Sequence, residues 1–416
     1  MRPPVLAADG HPVPDSTALR ALAFLWGFCA FLPVSVMYLS LLLMLAGLVF
    51  APAIGRRMAR LPQSVVFWPL IAMLLWSVAA AIAGPWLEDT STRLFHLTRV
   101  VLVVCMGLLL VPSEARFGLA GFVVAALVAA LVVAVHHLWP LPPWAIWASL
   151  LTSRNNFSSG NMISMATASG VCLALAVARP PVGRYRWLAL GAAAALALTV
   201  ALHAVSRNAL LLLLLLAPVA LFCRFRSARA LGGGILVLLG AAAALWQLAP
   251  TAKARFLELA QNLQAATSAT QYGTSGGLRW RMFQEAWQGM LEHPLLGTGV
   301  GTWLPHWRAT WMAMDVQLDP LTKGQFAEIN NPHNDFLLAG METGLPGLLL
   351  LAWVLWRFAR LGWRQASTAG NITVLLAGAL FATCLVNAPL RDAALGMTLL
   401  WLLGVSVAAH GSDRRE

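Results

Sequence analysis

Apolar runs separated by short polar breaks make up this chain, except for one long interval at residues 251–344. Hydrophobic residues form 59% of the 416 residues and charged residues only 11%, a balance that excludes a soluble globular domain. We therefore predict an all-α, polytopic membrane protein whose apolar runs are transmembrane helices. The net charge of +12 does not indicate a nucleic-acid partner, because the arginines fall mainly in the short breaks, where cytoplasmic loops carry them.

The apolar runs number about twelve, although several are shorter than the roughly 20 residues that a perpendicular transmembrane helix needs. They lie near residues 19–32, 34–49, 65–84, 94–112, 117–138, 159–178, 187–205, 208–223, 230–249, 344–359, 371–388 and 393–409. The first run has the length of a signal-peptide core. It is nevertheless counted as a span, because the second run follows at once without a convincing cleavage site.

Basic residues set the predicted orientation, since cytoplasmic loops carry an excess of lysine and arginine. With the N-terminus inside, the inner loops hold most of the basic residues, and the long interval lies outside. In a bacterium this arrangement is an inner-membrane protein with a periplasmic loop. The predicted units are a cytoplasmic tail at 1–18, a bundle of about nine helices at 19–249, a periplasmic helical cap at 250–343, a bundle of three helices at 344–410 and a cytoplasmic tail at 411–416.

Aromatic periodicity predicts the structure of the cap. One amphipathic stretch places five apolar side chains on a single helix face, namely Trp280, Phe283, Trp287, Met290 and Leu291. Trp303, Trp307 and Trp311 then repeat every four residues, which is typical of a helix that either lies on the bilayer surface, with its indoles at headgroup depth, or covers the domain. An earlier stretch, with Phe256, Leu259 and Leu263, also has helical spacing.

Several arginines are candidates for binding an anion. Ser206, Arg207 and Asn208 fill a very short break on the outer side. A capping serine, the N–H groups of the helix it begins and the Arg207 guanidinium would together bind phosphate. Arg154 precedes another span in the same way. Two further candidates, Arg279 and Arg281, lie in the predicted cap. The alternative is that these arginines are ordinary interfacial charges that reach headgroups or water.

His333 is the candidate general base. Asn331 is predicted to cap a helix with Pro332 at its first position, which puts His333 in the first turn. There the helix dipole would lower its pKa, and a neutral histidine is what a general base requires. The alternative is a structural histidine bonded to a loop carbonyl. Asp335 and Glu342 are near enough in sequence to orient the imidazole or to act as the base themselves.

The predicted topology brings these residues to one surface. The helices that begin near 159, 208 and 334 all run from outside to inside, so Arg154, Arg207 and His333 would converge at one depth. Three positive helix ends and a base at headgroup level suit a membrane-embedded diphosphate. The interval has no Asp-x-Asp sequence, which favours arginines over a metal ion for binding it.

In its motifs the chain resembles the O-antigen ligase and polymerase superfamily. The shared features are many spans, a short Ser-Arg-x motif at 206–208 and one large loop late in the chain. The loop has a Gly-Arg-like start at 276–279, where a leucine precedes the arginine, and a His-Pro-Leu-Leu-Gly-x-Gly-like turn at 293–299. A His-Asn motif at 333–334 and Glu-x-Gly-x-x-Gly at 342–347 follow.

The resemblance implies which residues function. It assigns the functional roles to Arg207, Arg279 and His333. We expect support from neighbouring polar residues, which are Ser206, Asn208, Asn334, Asp335 and Glu342. Arg281 lies just after Arg279, so the choice of loop arginine stays open.

Within the superfamily the resemblance is closest to the O-antigen ligases. These enzymes transfer a completed polysaccharide from undecaprenyl diphosphate to a sugar hydroxyl of the lipid A core. The implied mechanism needs neither metal nor cofactor: the arginines neutralise the diphosphate, and His333 deprotonates the acceptor for a single inverting displacement.

Three other functions remain open at this stage. An O-antigen polymerase or a protein O-oligosaccharyltransferase would use the same donor with another acceptor. A transporter of lipid-linked oligosaccharide would also need outward arginines. It predicts charged residues deep in several spans, whereas Arg99 with His96 is the main inward candidate here.

Overall fold

The computed structural model describes residues 13–139, 141–142, 151–153, 156–157, 159–178, 183–203, 206–248, 257, 275–314 and 320–410. The helices in these ranges are α1 (Thr17–Phe28), α2 (Val34–Val49), α3 (Ile54–Met58), α4 (Phe67–Ala83), α5 (Thr90–Leu108), α6 (Pro112–Leu138), α7 (Ser159–Ala176), α8 (Arg184–His203), α9 (Arg207–Phe225), α10 (Ala228–Leu248), α11 (Ser275–Glu292), α12 (Trp303–Ala313), α13 (Pro320–Ala327), α14 (Asp335–Gln365), α15 (Thr368–Val386) and α16 (Ala393–Ala408). A one-turn 3₁₀ helix, Cys29–Phe31, follows α1, and two short strands, Leu151–Ser153 and Asn156–Phe157, pair antiparallel.

The predicted helical class is confirmed, apart from that small hairpin. In the described part of the chain, seven helices are long and apolar enough to cross a membrane: α5, α6, α7, α8, α9, α14 and α15. Shorter apolar helices occupy the other predicted runs, namely Thr17–Phe31, Val34–Val49, Phe67–Ala83, Ala228–Val237 and Ala393–Ala408. A shorter helix does not by its length alone span a bilayer core of about 30 Å, so the count of twelve spans stays a prediction.

A glycine divides α14 into two parts. Gly344 has a φ of 72°, and a Cβ there would lie 2.4 Å from the carbonyl oxygen of Leu295. The next residue, Leu345, donates its N–H to the carbonyl of Pro294 at 2.8 Å. Only glycine fits this left-handed backbone against another main chain. The predicted span near 344–359 is thus the second part of a longer helix, whose first part, from Asp335, packs against the cap.

A buried ion pair connects segments in the first part of the chain. Arg57 and Glu114 are both fully buried, and their side chains form two hydrogen bonds of 2.7 and 2.8 Å. Arg57 also donates to the carbonyls of Pro14 and Leu109, while the Glu114 carboxylate accepts the N–H of Ser16. One guanidinium therefore joins the start of α1, the α3 segment and the turn between α5 and α6.

Replacing Arg57 with alanine is expected to destabilise the fold by about 3–5 kcal/mol, because it leaves the Glu114 carboxylate buried without its counter-charge. Thermal unfolding of the purified protein in detergent measures this loss. Arg20→Ala is the matched control, since Arg20 pairs with Asp15 at the surface, where an ion pair contributes about 0–1 kcal/mol. Equal melting temperatures for the two variants would show that the buried pair does not fasten the bundle.

Of the two predicted positions of the tryptophan stripe, the one on the bilayer surface is wrong. Trp303, Trp307 and Trp311 are fully buried and stack on one another, with ring centroids 5.6 and 5.4 Å apart. Their indole N–H groups donate to carbonyls of the α13 segment, which are those of Ile329, Phe326 and Lys323 respectively, at 2.8–2.9 Å. The stripe is therefore the core of a hairpin formed by α12 and α13 and does not lie in the headgroups. We call these three residues the tryptophan ladder.

The predicted common face of α11 also needs correction. Met290 is buried, whereas Trp280, Trp287 and Leu291 are exposed. Consecutive helical residues point about 100° apart, so Met290 and Leu291 cannot share the centre of one face. The buried side of α11, through Leu278, Met282 and Ala286, packs with the tryptophan ladder and with α14. The earlier stretch with Phe256, Leu259 and Leu263 lies outside the described residues.

Candidate functional site

The end of α15 connects two segments that are far apart in sequence. Three consecutive residues, 385–387, bind polar side chains from both of them. Asn208, in the first turn of α9, donates to the carbonyl of Val386 at 3.4 Å. Asn334 donates to the carbonyl of Leu385 at 2.9 Å, and Nδ1 of His333 lies 3.3 Å from Oδ1 of Asn387. The start of α9 and the start of α14 therefore meet at the end of α15.

Arg207 is the first residue of α9, and Ser206 occupies the N-cap position as predicted. The Ser206 side chain does not cap the helix, however. It accepts a hydrogen bond of 2.8 Å from the hydroxyl of Ser159, the first residue of α7. This contact corrects the predicted cap and sets the N-termini of α7 and α9 side by side. Arg154, the other arginine expected there, lies outside the described residues.

His333 does not lie in the first turn of a helix, as the sequence had suggested. Its N–H donates to the side-chain oxygen of Asn331 at 2.9 Å, and its φ is 54°. The helix begins only at Asp335, because Asn334 is the N-cap and accepts the N–H of Leu337 at 2.9 Å. Asn331 therefore makes a local turn, a common use of asparagine, and the cap falls three residues later.

The Asn387 contact determines which imidazole nitrogen can act as a base. With the amide oxygen of Asn387 facing it, Nδ1 carries the proton and donates the hydrogen bond. The Nε2 nitrogen of His333 then keeps its lone pair. A neutral ring held in this tautomer is able to accept a proton at Nε2.

Electrostatic effects show that three of the predicted residues are near one another. Burial lowers the pKa of His333, and the positive charge of Arg279 lowers it further, while the hydrogen bond to Asn387 opposes both effects. Burial also lowers the pKa of Arg279, and the charge of Arg207 adds to that shift. Because such interactions need proximity, Arg279 lies close both to His333 and to Arg207.

Arg281 is engaged within the cap. Its guanidinium pairs with Glu285, one turn later on α11, at 2.5 Å. The same carboxylate bonds Nε2 of His306 at 2.9 Å, and this hydrogen bond is the main cause that lowers the pKa of Glu285. Glu285 therefore joins α11 to α12, and Arg281 pairs with it within α11. Between the two loop arginines, Arg279 is the one whose charge affects His333.

The two carboxylates near His333 in sequence are used elsewhere. Asp335 is buried and accepts the N–H of Leu390 at 2.9 Å. Glu342 is also buried, pairs with Arg93 of α5 at 2.8 Å and accepts the N–H of Gly301 at 3.1 Å. Through these contacts Asp335 links α14 to the segment before α16. Glu342 links α14 to α5 and to the turn before α12.

Charged residues on α5 form a second set of buried contacts that the sequence had not indicated. Asp89, just before α5, accepts a hydrogen bond of 2.9 Å from Arg391. Arg99 donates to three successive carbonyls, those of Leu390, Arg391 and Asp392, and to the hydroxyl of Tyr38. Together with the Arg93–Glu342 pair, they tie α5 to α14 and to the segment between α15 and α16. The pairing is that of a structural scaffold.

The comparison with known families bears on the same segments. A family model described as O-antigen ligase matches residues 192–352, a range that contains Arg207, Arg279 and His333. A search of curated proteins found no match to the chain. Several apolar helices of membrane-spanning length surround and extend beyond the matched range, as expected of a multi-pass membrane protein. The match supports the assignment of this multi-pass membrane protein to the O-antigen ligase and polymerase family.

Proposed function

We propose that the protein is an O-antigen ligase. It transfers O-antigen polysaccharide from undecaprenyl diphosphate to a sugar hydroxyl of lipid A–core, at the periplasmic face of the bacterial inner membrane and without a metal ion. The observation that carries the proposal is the junction at residues 385–387. There the side chains of His333 and of Asn208, the residue after Arg207, both form hydrogen bonds. This junction puts an arginine-bearing helix N-terminus next to a neutral histidine.

The two arginines bind the diphosphate in this proposal. Arg279 lies so near Arg207 that the second charge lowers its pKa, which means that the guanidinium groups repel each other. A diphosphate between them relieves the repulsion and accepts charge-assisted hydrogen bonds from both. The N-terminus of α9 adds its partial positive charge. As the glycosidic bond breaks, negative charge grows on the leaving phosphate, so the same groups stabilise the transition state.

His333 is the general base in this proposal. Its Nε2 takes the proton of the acceptor hydroxyl as the acceptor oxygen attacks the anomeric carbon of the donor. The bond from that carbon to the phosphate oxygen breaks, and its electron pair leaves with undecaprenyl diphosphate. The attack comes from the side opposite the leaving group, so the configuration at the anomeric carbon inverts. The proton on His333 is then lost to water.

The pH dependence of the transfer follows from the lowered pKa of His333. A base with a pKa below the ordinary histidine value of about 6.5 stays neutral at lower pH than a free histidine. We expect kcat/KM to be constant above about pH 6.5 and to fall only at more acidic pH. Initial rates between pH 4 and pH 8, about the range in which histidine pKa values fall, would measure this. A decline that begins above the ordinary histidine value would contradict the assignment.

An apolar cavity offers room for the lipid chain of the donor. It lies between α7, α8, α9 and α10, has a volume of about 480 Å³, and is lined mainly by alanine and leucine. On α9 its lining begins at Leu213, six residues after Arg207, which corresponds to a depth of roughly 9 Å at 1.5 Å per residue. A diphosphate at Arg207 could therefore place its prenyl chain in this cavity.

A direct reconstitution tests the proposed activity. The purified protein is mixed with lipid-linked polysaccharide and lipid A–core in the presence of a metal chelator, and the product is followed by its shift on a gel. Transfer to lipid A–core supports the ligase. Extension of the lipid-linked chain would indicate the polymerase, and transfer to a protein acceptor would indicate the oligosaccharyltransferase. Movement of donor across a vesicle membrane without transfer would indicate a transporter.

A second test uses the living cell. A strain that lacks the protein should make lipopolysaccharide without O-antigen while it still accumulates the lipid-linked polymer. Loss of the polymer itself would place the protein at an earlier step.

Arg207→Lys is expected to lower kcat/KM by about 10²-fold, because an ammonium group cannot reproduce the bidentate fork of a guanidinium on phosphate. Arg226→Lys is the matched control, since Arg226 lies at the other end of α9, where it stacks on Trp363. Steady-state rates in the reconstituted assay measure both variants. Wild-type activity for Arg207→Lys would favour an arginine that only reaches lipid headgroups.

A further inference from the structure

One side of α11 carries an apolar surface that no described part of the chain covers. Trp280, Trp287 and Leu291 are 50%, 51% and 58% exposed. At 3.6 residues per turn, positions seven and eleven after the first lie within about 20° of it, so the three side chains form one line along the helix. We call these three residues the α11 ridge.

The α11 ridge lies between two different flanks. On one side is the buried residue Met290, about 80° around the helix from Trp280. On the other side are polar residues, among them Gln288, whose side chain donates to Glu292 at 2.8 Å. A helix with tryptophans between a packed flank and a polar flank is typical of one that lies in the membrane surface, where the indole ring favours headgroup depth.

The segment that follows α11 contacts the point where the second part of α14 begins. After α11, the carbonyl of Pro294 accepts the N–H of Leu345, and the Leu295 main chain touches Gly344. Leu295 is 72% exposed. Leu345 and Leu349, on the half of α14 that follows the glycine break, are 42% and 62% exposed. On a transmembrane helix these exposed leucines face acyl chains. The end of α11 therefore lies at the depth where the span of α14 begins.

We propose that the α11 ridge rests in the surface of the bilayer, at the leaflet boundary where the second part of α14 enters the hydrocarbon. Its occupant is the lipid of that leaflet, with the indoles of Trp280 and Trp287 among the headgroups. Because Arg279 is adjacent to Trp280, this contact also holds Arg279 at the depth of lipid phosphates. The inference concerns the position of the cap and does not depend on which acceptor the protein uses.

Site-directed spin labelling in nanodiscs tests this depth directly. Single variants Trp287→Cys and Leu291→Cys are labelled, and collisions with oxygen and with a water-soluble nickel chelate are compared. Gln288→Cys is the matched control, because it lies on the same helix next to Trp287 but on the polar flank. Labelling of the native cysteines is measured on the wild-type protein, whose five cysteines are free and mostly buried.

We expect the ratio of oxygen to nickel collisions to be several-fold higher at positions 287 and 291 than at position 288. Equal nickel access at all three positions would overturn the proposal, because the ridge would then face water. Low access to both reagents at 287 and 291 would overturn it as well, since a protein partner or a second copy would then cover the ridge. Neither result would alter the activity measured in the transfer assay, so the two proposals fail separately.

Discussion

His333→Ala is expected to lower the rate of polysaccharide transfer by about 10²–10⁴-fold, the usual contribution of a positioned general base. The ring is held by Asn387 on one nitrogen, and its pKa is lowered by burial and by Arg279, so the wild-type imidazole is neutral at physiological pH. Alanine removes the proton acceptor and leaves the arginines in place. Binding of the lipid-linked donor should therefore change much less than kcat.

The matched control for this variant is His293→Ala. His293 lies exposed at the end of α11, in the same cap, and no catalytic role is proposed for it. Initial rates and donor affinity measured for both variants separate loss of chemistry from loss of folding. A His333→Ala enzyme that transfers at the wild-type rate would remove the histidine from the mechanism. The role of base would then pass to a nearby carboxylate, Asp335 or Glu342, each of which already has a buried partner.

Arg279→Ala is expected to lower kcat/KM by about 10²–10³-fold, the range found when a group that stabilises transition-state charge is removed. Arg281→Ala is the matched control, two residues away on the same helix, and its guanidinium pairs with Glu285. We expect that variant to lose little activity. If Arg281→Ala were the more damaging change, the diphosphate role would pass to Arg281.

The Arg279 variant has a second expected effect, which a merely structural role would not produce. The charge of Arg279 lowers the pKa of His333, so its removal should raise that pKa. The acid limb of the pH–rate profile should therefore move to higher pH in Arg279→Ala and stay in place in Arg281→Ala. The profile of the residual activity measures this shift.

The membrane helices could be predicted because an apolar run is a local property of the sequence. Most of the second part of α14 and most of α15 fall in the apolar runs predicted at 344–359 and 371–388. Periodicity was a poorer guide in the cap. It correctly indicated that Trp303, Trp307 and Trp311 share a face, but the same spacing fits a face on the bilayer and a face on another helix. Only the partner helix, α13, decided between them.

The types of residue in the candidate site could be predicted from the sequence, but the contacts between them could not. The Asn-Asn-Pro-His-Asn sequence contains three asparagines, and the last of them, Asn334, caps the helix. Asn387 was not predicted at all. The available signal was weak, a polar residue at the end of a predicted span, and its importance comes from the contact with His333, which is 54 residues away in the chain. Such long-range pairings cannot be obtained from local patterns.

The tryptophan ladder has a consequence for how carbohydrate is handled. Proteins commonly hold sugars by laying the ring against the flat side of an indole, and a long row of such indoles would be a natural track for a polymer. In this cap the rings of Trp303 and Trp307 stack on neighbouring indoles. Their N–H groups donate hydrogen bonds to backbone carbonyls. These indoles cannot stack on a sugar ring, so carbohydrate recognition in the proposed function must rely on other residues.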